Sequence, residues 1–246
     1  MINQIYALKN LRPIILLSHM RANTSLFGHI LGNNPDINGY YEMHISYFSW
    51  KSLIRQKLKF LEEHVFKRNS KYIFDKILHN EHYVNLELLT NKQAFIIISL
   101  RPPEETIPSI VKLYKKTDPS HEFSTVEGAT NYYHNRLNTL AEYSNALKNQ
   151  FIYIDANAIK HQTKDAFSFL EQHLNLKKHL SSNYTIQTKT GKGTAGDPSE
   201  SLQQGKIIHT QNNYSDINLD KVILDEQTKH FIKIRGFIIS NSKINL

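Results

Sequence analysis

Pro13-Ile14-Ile15-Leu16-Leu17 runs without a break into Ser18-His19-Met20-Arg21-Ala22-Asn23-Thr24-Ser25-Leu26. The first five residues are continuously apolar and bounded by polar ones, the pattern of a short strand covered on both faces. From about Thr24 to Leu31 the apolar residues take helical spacing, so a helix follows the strand after one tight turn. That arrangement leaves unpaired backbone N–H groups at the positive end of a helix dipole, a ready site for phosphate or sulfate. Arg21 adds a fixed positive charge, while Thr24 and Ser25 add hydroxyl donors. The G-x-x-x-x-G-K-[ST] loop is absent and no Lys precedes the hydroxyl pair, which argues against ATP hydrolysis. The plainer use for Thr24 and Ser25 is to cap the helix.

Working outward, Ala94-Phe95-Ile96-Ile97-Ile98 repeats the buried-strand pattern, and Lys71–Phe74 and Phe151–Ile154 are shorter examples. Helical spacing covers His44 to Phe66, with Tyr47, Trp50, Ile54, Leu58 and Leu61 on one face, and then Ala129–Leu147 and Asp165–Leu174. A last helix is expected over about Asp220–Phe237, after an extended Ser/Thr/Gly/Gln-rich loop at Ser181–Gly205. Strands alternating with helices predict crossover units and a parallel sheet with helices on both sides. With no repeat and no linker, residues 1–246 are read as a single α/β domain.

Two further segments carry anion chemistry. Arg101 falls at the C-terminal end of the strand containing Ile98, where ligands of open α/β sheets collect, and Ser109 follows eight residues later in the next helix. The alternative pairs Arg101 with Glu104 or Glu105 at the surface. In Thr190-Gly191-Lys192-Gly193-Thr194-Ala195-Gly196-Asp197-Pro198-Ser199, three of the nine glycines fall within six residues. Closely spaced glycines let backbone approach a ligand, and Lys192 supplies a cation. The alternative is a mobile polar loop.

In this order, the three segments resemble the donor site of sulfotransferases that use 3′-phosphoadenosine 5′-phosphosulfate (PAPS). The likeness covers about Pro13 to Ile207. Pro13–Leu26 resembles the 5′-phosphosulfate loop, with Arg21, Thr24, Ser25 and Leu26 matching and Ala22-Asn23 standing where Ser-Gly is usual. Asn tolerates left-handed backbone, so Asn23 is expected to replace that Gly. Arg101 and Ser109 match the 3′-phosphate site in type and spacing, and Lys192-Gly193 matches the late loop that closes over the nucleotide. Ser199-Glu200-Ser201 and Gly205-Lys206-Ile207 resemble bacterial members. The resemblance implies a nucleotide-kinase-like sulfotransferase fold with PAPS across the strand ends, and no metal.

The same resemblance supplies a candidate base. In Golgi-type and bacterial sulfotransferases an Asn-Pro or His-Pro turn leads into a short strand ended by a Glu. Glu42 holds that place, 21 residues after Arg21, with His44 as second choice. In tyrosylprotein sulfotransferases that Glu is the base, and the loop Arg neutralises the bridging oxygen. The alternative for Glu42 is a first-turn carboxylate of the helix expected from His44. Asp75-Lys76 resembles a segment near the acceptor, making Lys76 a candidate substrate-site cation; the alternative is a surface Lys. Asp155 is read as structural. Tyr132, Tyr133 and Trp50 are read as core, with stacking on adenine as the alternative.

Composition narrows the rest. The charge of +8 implies an anionic partner, and Lys and Arg are spread along the chain with no basic tail. Charge alone leaves nucleic acid open, and it is the motifs above that argue against it. No apolar run reaches the roughly 18–20 residues of a membrane span, and no signal peptide is read. The absence of Cys excludes thiolate metal sites and disulfides and allows a reducing cytoplasm. Thirteen His residues show no H-x-x-x-H helix and no H-x-E motif with a Cys pair, so spacing predicts no metal site. The expected activity is sulfuryl transfer to a hydroxyl or amine of a carbohydrate, lipid or small metabolite. The alternatives are a Mg²⁺-dependent nucleotide kinase or NTPase of similar fold, and a non-enzymatic binder of anionic glycan or nucleic acid.

Overall fold

A computed structural model describes residues 10–90, 94–191, 199–209 and 213–246. Its six strands are β1 (Arg12–Leu17), β2 (Ile37–Asn38), β3 (Tyr72–Ile77), β4 (Phe95–Leu100), β5 (Phe151–Asp155) and β6 (Ile244–Asn245). They form one sheet in the order β2-β3-β1-β4-β5-β6, and every pairing is parallel. The main helices are α1 (Thr24–Asn33), α2 (Trp50–Leu61), α3 (Pro103–Thr117), α4 (Val126–Ala146), α5 (Thr163–Leu174) and α6 (Lys221–Asn241).

The apolar run of β1 explains the layering. Ile14 and Leu16 face α1 and α5, joining a core with Phe27, Ile30 and Leu170. Ile15 and Leu17 face the opposite core, built with Ile107, Tyr133, Leu137 and Ile238 from α3, α4 and α6. All four β1 residues are fully buried, and each burial contributes roughly 1.5–3 kcal/mol. Because strand side chains alternate, a central strand covered on both sides is apolar except where a buried partner satisfies a polar side chain, as at Asp75 and Lys76 of β3.

Register decides where the ligand edge lies. Leu17 is opposite Ile77 on one side and Ile98 on the other, so β1 and β3 end level and β4 runs two residues further, to Leu100. The chain leaves β1 toward β2 and β3, but leaves β4 toward β5. The edge between β1 and β4 is therefore the switch point, where open α/β sheets leave a crevice.

Two expectations fail. The helix read from His44 begins only at Trp50. His44 sits at φ 50°, which no right-handed helix accepts, and the Ser52 hydroxyl accepts from the backbone N–H of Phe48 and Ser49 to start the helix later. Tyr47 instead bridges to Val84. Trp50 is not core: it is 60% exposed at the helix start. Strand β6, which no apolar run announced, is held by pairing with β5.

Candidate active site

The turn after β1 is pinned from three directions. Arg21 and Asn23 take left-handed conformations, φ 61° and 54°, so Asn23 does what the missing Gly would have done. Such geometry costs non-Gly residues on the order of 1 kcal/mol and persists only where the surroundings over-determine it. Here Arg101 Nη1 donates to the Arg21 carbonyl at 2.9 Å, and Arg21 Nε donates to Ser109 Oγ at 2.9 Å. Asn23 Nδ2 donates to the Ala156 carbonyl at 3.0 Å and to Asn157 Oδ1 at 3.1 Å. The ends of β4 and β5 and the first turns of α3 thus hold the loop. Asn23 is the N-cap and its side chain makes no capping bond, so Thr24 and Ser25 are the first helical residues rather than caps.

Arg101 is 5% exposed, so the surface-pair alternative is wrong about location but right about a partner. Its guanidinium pairs with Glu105, one turn along α3, and approaches Asn157 Oδ1 at 3.3 Å. A carboxylate therefore lies on the cation that the resemblance assigns to the 3′-phosphate.

Buried connectors that the sequence did not announce align these pieces. His19 is fully buried; its Nδ1 lies 2.8 Å from the Met20 carbonyl, and its Nε2 accepts the backbone N–H of Arg101 at 3.0 Å. Burial, reinforced by Arg101 and Arg136, pushes its pKa down to about 3. Arg136 of α4, also fully buried, donates to the carbonyls of Ser18 (2.8 Å) and Ile77 (2.6 Å) and to Asn80 Oδ1 (2.7 Å). It ties the ends of β1 and β3 together. Each stands at a position that pattern alone reads as filler, since only non-local carbonyls explain it.

Glu42 lies four residues beyond β2 rather than at its end, and no helix follows within reach, so the first-turn alternative falls. It is 6% exposed. Its carboxylate accepts from the Leu78 backbone, and burial pushes the carboxyl up to about 7 while Lys76 pulls it down. Its Oε1 has no hydrogen-bond partner, and His44 Nδ1 stands 3.9 Å away. Asp75 sets the position: it accepts from Met43 N–H at 2.9 Å and from the Tyr47 hydroxyl at 2.6 Å. Burial raises its own carboxyl to about 7 as well. Lys76 is not a surface residue; it is 5% exposed, and its Nζ donates to Ser25 Oγ at 3.0 Å. Lys76 thus connects the first-loop hydroxyl with the Glu42 side.

These groups share one cleft of about 1060 Å³, lined by Arg21, Asn23, Thr24, Ser25 and Leu26 together with Glu42, His44, Lys76 and Arg101. Ala22 is 3% exposed within the turn, and Ser109 stands behind Arg21 as its partner. Lys160 and Lys206 line the same cleft, as does Gly191; Lys192 and Gly193 lie outside the described residues. The half of the cleft next to Glu42 carries touching rings: Tyr114–Phe123 at 5.2 Å, Phe123–Tyr132 at 5.1 Å and Tyr132–His79 at 5.5 Å. Tyr132 is thus a wall residue rather than core, accepting from Met20 N–H and donating to the Leu78 carbonyl, each at 2.8 Å. Tyr133 is core as expected, and Asp155 pairs with Arg235.

The volume is at the upper end of small-molecule sites, which run to roughly 300–1,000 Å³. Arg21, Lys76 and Arg101 give the strand-end half cationic groups, and aromatic rings line the other half. No helix among the described residues is long and apolar enough to cross a membrane.

No family model matches the chain, and no curated protein does. Solved structures do. The sulfotransferase domain from the curacin biosynthetic pathway superposes with TM-score 0.61 at 13% identity, over 92% of this chain and 97% of that domain. The sulfotransferase domain from the Synechococcus PCC 7002 olefin synthase gives 0.57 at 12% identity, over 91% and 96%. What is shared is the fold: a single parallel six-stranded sheet flanked by helices.

Proposed function

We propose that this chain, which has the sulfotransferase fold, transfers the sulfuryl group of PAPS to an acceptor hydroxyl or amine. One observation carries the reading. Arg21 and Arg101, 80 residues apart, are bonded through the Arg21 carbonyl beside Ser109, in the cleft that also contains an unpartnered buried carboxylate oxygen on Glu42.

PAPS supplies a sulfuryl group on a phosphate leaving group. Arg21, the first-turn N–H groups of α1, Thr24 and Ser25 hold the 5′ end. Arg101 holds the 3′-phosphate, with the Lys192-Gly193 loop as a further contact. Lys76, hydrogen-bonded to Ser25, places a cation between that end and Glu42. Such charges, fixed in advance where negative charge develops, are the main source of acceleration in transfers of this type. Glu42 takes the acceptor proton; it is positioned by the Met43–Asp75 bond and sits at the junction of the two halves of the cleft. The acceptor lies against the Tyr114–Phe123–Tyr132 wall, as the hydroxyl of a carbohydrate, lipid or small metabolite.

The test is thermal unfolding with 3′-phosphoadenosine 5′-phosphate (PAP), ATP and 5′-AMP. A ligand at 100 times its Kd adds about 2.7 kcal/mol. PAP alone should raise the midpoint; equal shifts with Mg²⁺-ATP would favour the kinase reading. Glu42→Gln should keep the PAP shift while transfer falls by roughly 10²–10⁴-fold. Unchanged turnover would remove Glu42 from the role.

A further inference from the structure

Beside the cleft, the loop after β3 brings His82 against His44. Nδ1 of His44 and Nε2 of His82 face each other at 3.4 Å, with Glu42 Oε1 3.9 Å from the same His44 nitrogen. Among the described residues these three side chains form a group whose facing ligand atoms all lie within 4.8 Å of one another. Two ring nitrogens bound to one tetrahedral zinc stand ~3.3 Å apart, because each Zn–N bond is about 2.0–2.1 Å. The observed spacing already has that value.

The group is built rather than accidental. Tyr47 N–H donates to the Tyr83 carbonyl and Asn85 N–H to the Tyr47 carbonyl, each at 2.7 Å, so the segments carrying His44 and His82 are zipped together. His44 is held in a left-handed conformation. Glu42, more than nine-tenths buried, points an oxygen with no hydrogen-bond partner at the pair.

We propose that Glu42, His44 and His82 form a site for a transition-metal dication of the Zn²⁺ type, its fourth position open to the cleft. Two imidazoles and one carboxylate are a donor set that suits zinc, and three protein ligands leave one position for water or a ligand. The cation displaces any proton bridging the two imidazoles and occupies the lone pair of Glu42 that accepts the acceptor proton, so metal loading suppresses transfer. That consequence rests on Glu42 being the base; the metal site itself does not.

The experiment uses the full chain, without a histidine tag and stripped by chelator, titrated with Zn²⁺ by calorimetry and with Co²⁺ by visible absorption. One equivalent should bind saturably, with the intense bands of low-coordinate cobalt. His82→Ala and, separately, Glu42→Gln should weaken binding at least about 100-fold while each keeps a cooperative thermal transition. Absence of saturable binding, or equal binding by His82→Ala, overturns the site. The ratio of PAPS-dependent turnover with Zn²⁺ to that with chelator should be far below one in the unmodified chain and near one in His82→Ala. A ratio near one in zinc-loaded unmodified chain overturns the inhibition. The binding measurements need no turnover, so loss of the sulfotransferase reading would leave them standing.

Discussion

His19 is expected to make this protein acid-sensitive in a way that one substitution removes. With Nδ1 protonated and donating to the Met20 carbonyl, Nε2 must carry a lone pair to accept the Arg101 N–H, so the folded protein holds the ring neutral. Burial, then Arg101 and Arg136, lower its pKa from 6.5 to about 3. Between those values the unfolded chain binds a proton that the folded one refuses. The stabilisation is complete above about pH 7 and is lost as pH falls from 6.5 toward 3. At pH 5 the gap to 6.5, at 1.36 kcal/mol per pH unit, converts to about 2 kcal/mol. That is a large share of the roughly 5–15 kcal/mol of a typical domain. Urea unfolding of the unmodified chain and of His19→Gln, from about pH 7.5 to 5, isolates the effect. The variant should be weaker by ~1–3 kcal/mol at pH 7.5, through imperfect pairing of the Arg101 N–H. It should then lose about 2 kcal/mol less on acidification. Parallel curves would refute the argument, since other histidines contribute equally to both proteins.

Three more outcomes follow from the geometry. Glu105→Gln should tighten PAP binding several-fold in a titration, because it removes the carboxylate paired with Arg101; weaker binding would show that Glu105 orients the guanidinium rather than competing for it. Gly28→Ala would gain ~1 kcal/mol from helix propensity alone, yet an added Cβ lies 2.3 Å from the Tyr40 carbonyl oxygen. It should therefore lower stability by about 1–3 kcal/mol in urea unfolding. Arg136→Leu should cost ~3–5 kcal/mol by stranding the carbonyls of Ser18 and Ile77, and Arg136→Lys should not restore the loss, because a single ammonium lacks the fork that spans them.

Local pattern carried the sheet and the turn that follows β1. Continuous apolar runs mark β1 and β4 because a strand covered on both faces buries its side chains on either side, and the step from Leu17 to Arg21 marks the turn. The Arg101-to-Ser109 spacing was legible too, since strand end and helix start are adjacent in the chain. The same logic misplaced the start of α2. Tyr47 matches a helical period, but its burial comes from pairing with the loop at Val84 and from the bond to Asp75. Trp50 is apolar and yet exposed, because periodicity cannot say on which side a helix meets its neighbours.

Everything that depends on partners distant in sequence waited for the fold. His19 reads as a turn residue until β4 ends beside it, and Arg136 as a surface arginine until two strand ends aim carbonyls at it. Lys76 becomes a buried cation on Ser25 only once β3 lies next to β1. Glu42, His44 and His82 show no metal-ligand spacing, because His82 reaches the others across paired loops rather than along a helix face. Strand and helix formation is written in neighbouring residues, since it rests on periods of two and 3.6. The placement of charged groups in the cleft is set by register and crossover, which bring together groups that no short stretch of chain contains.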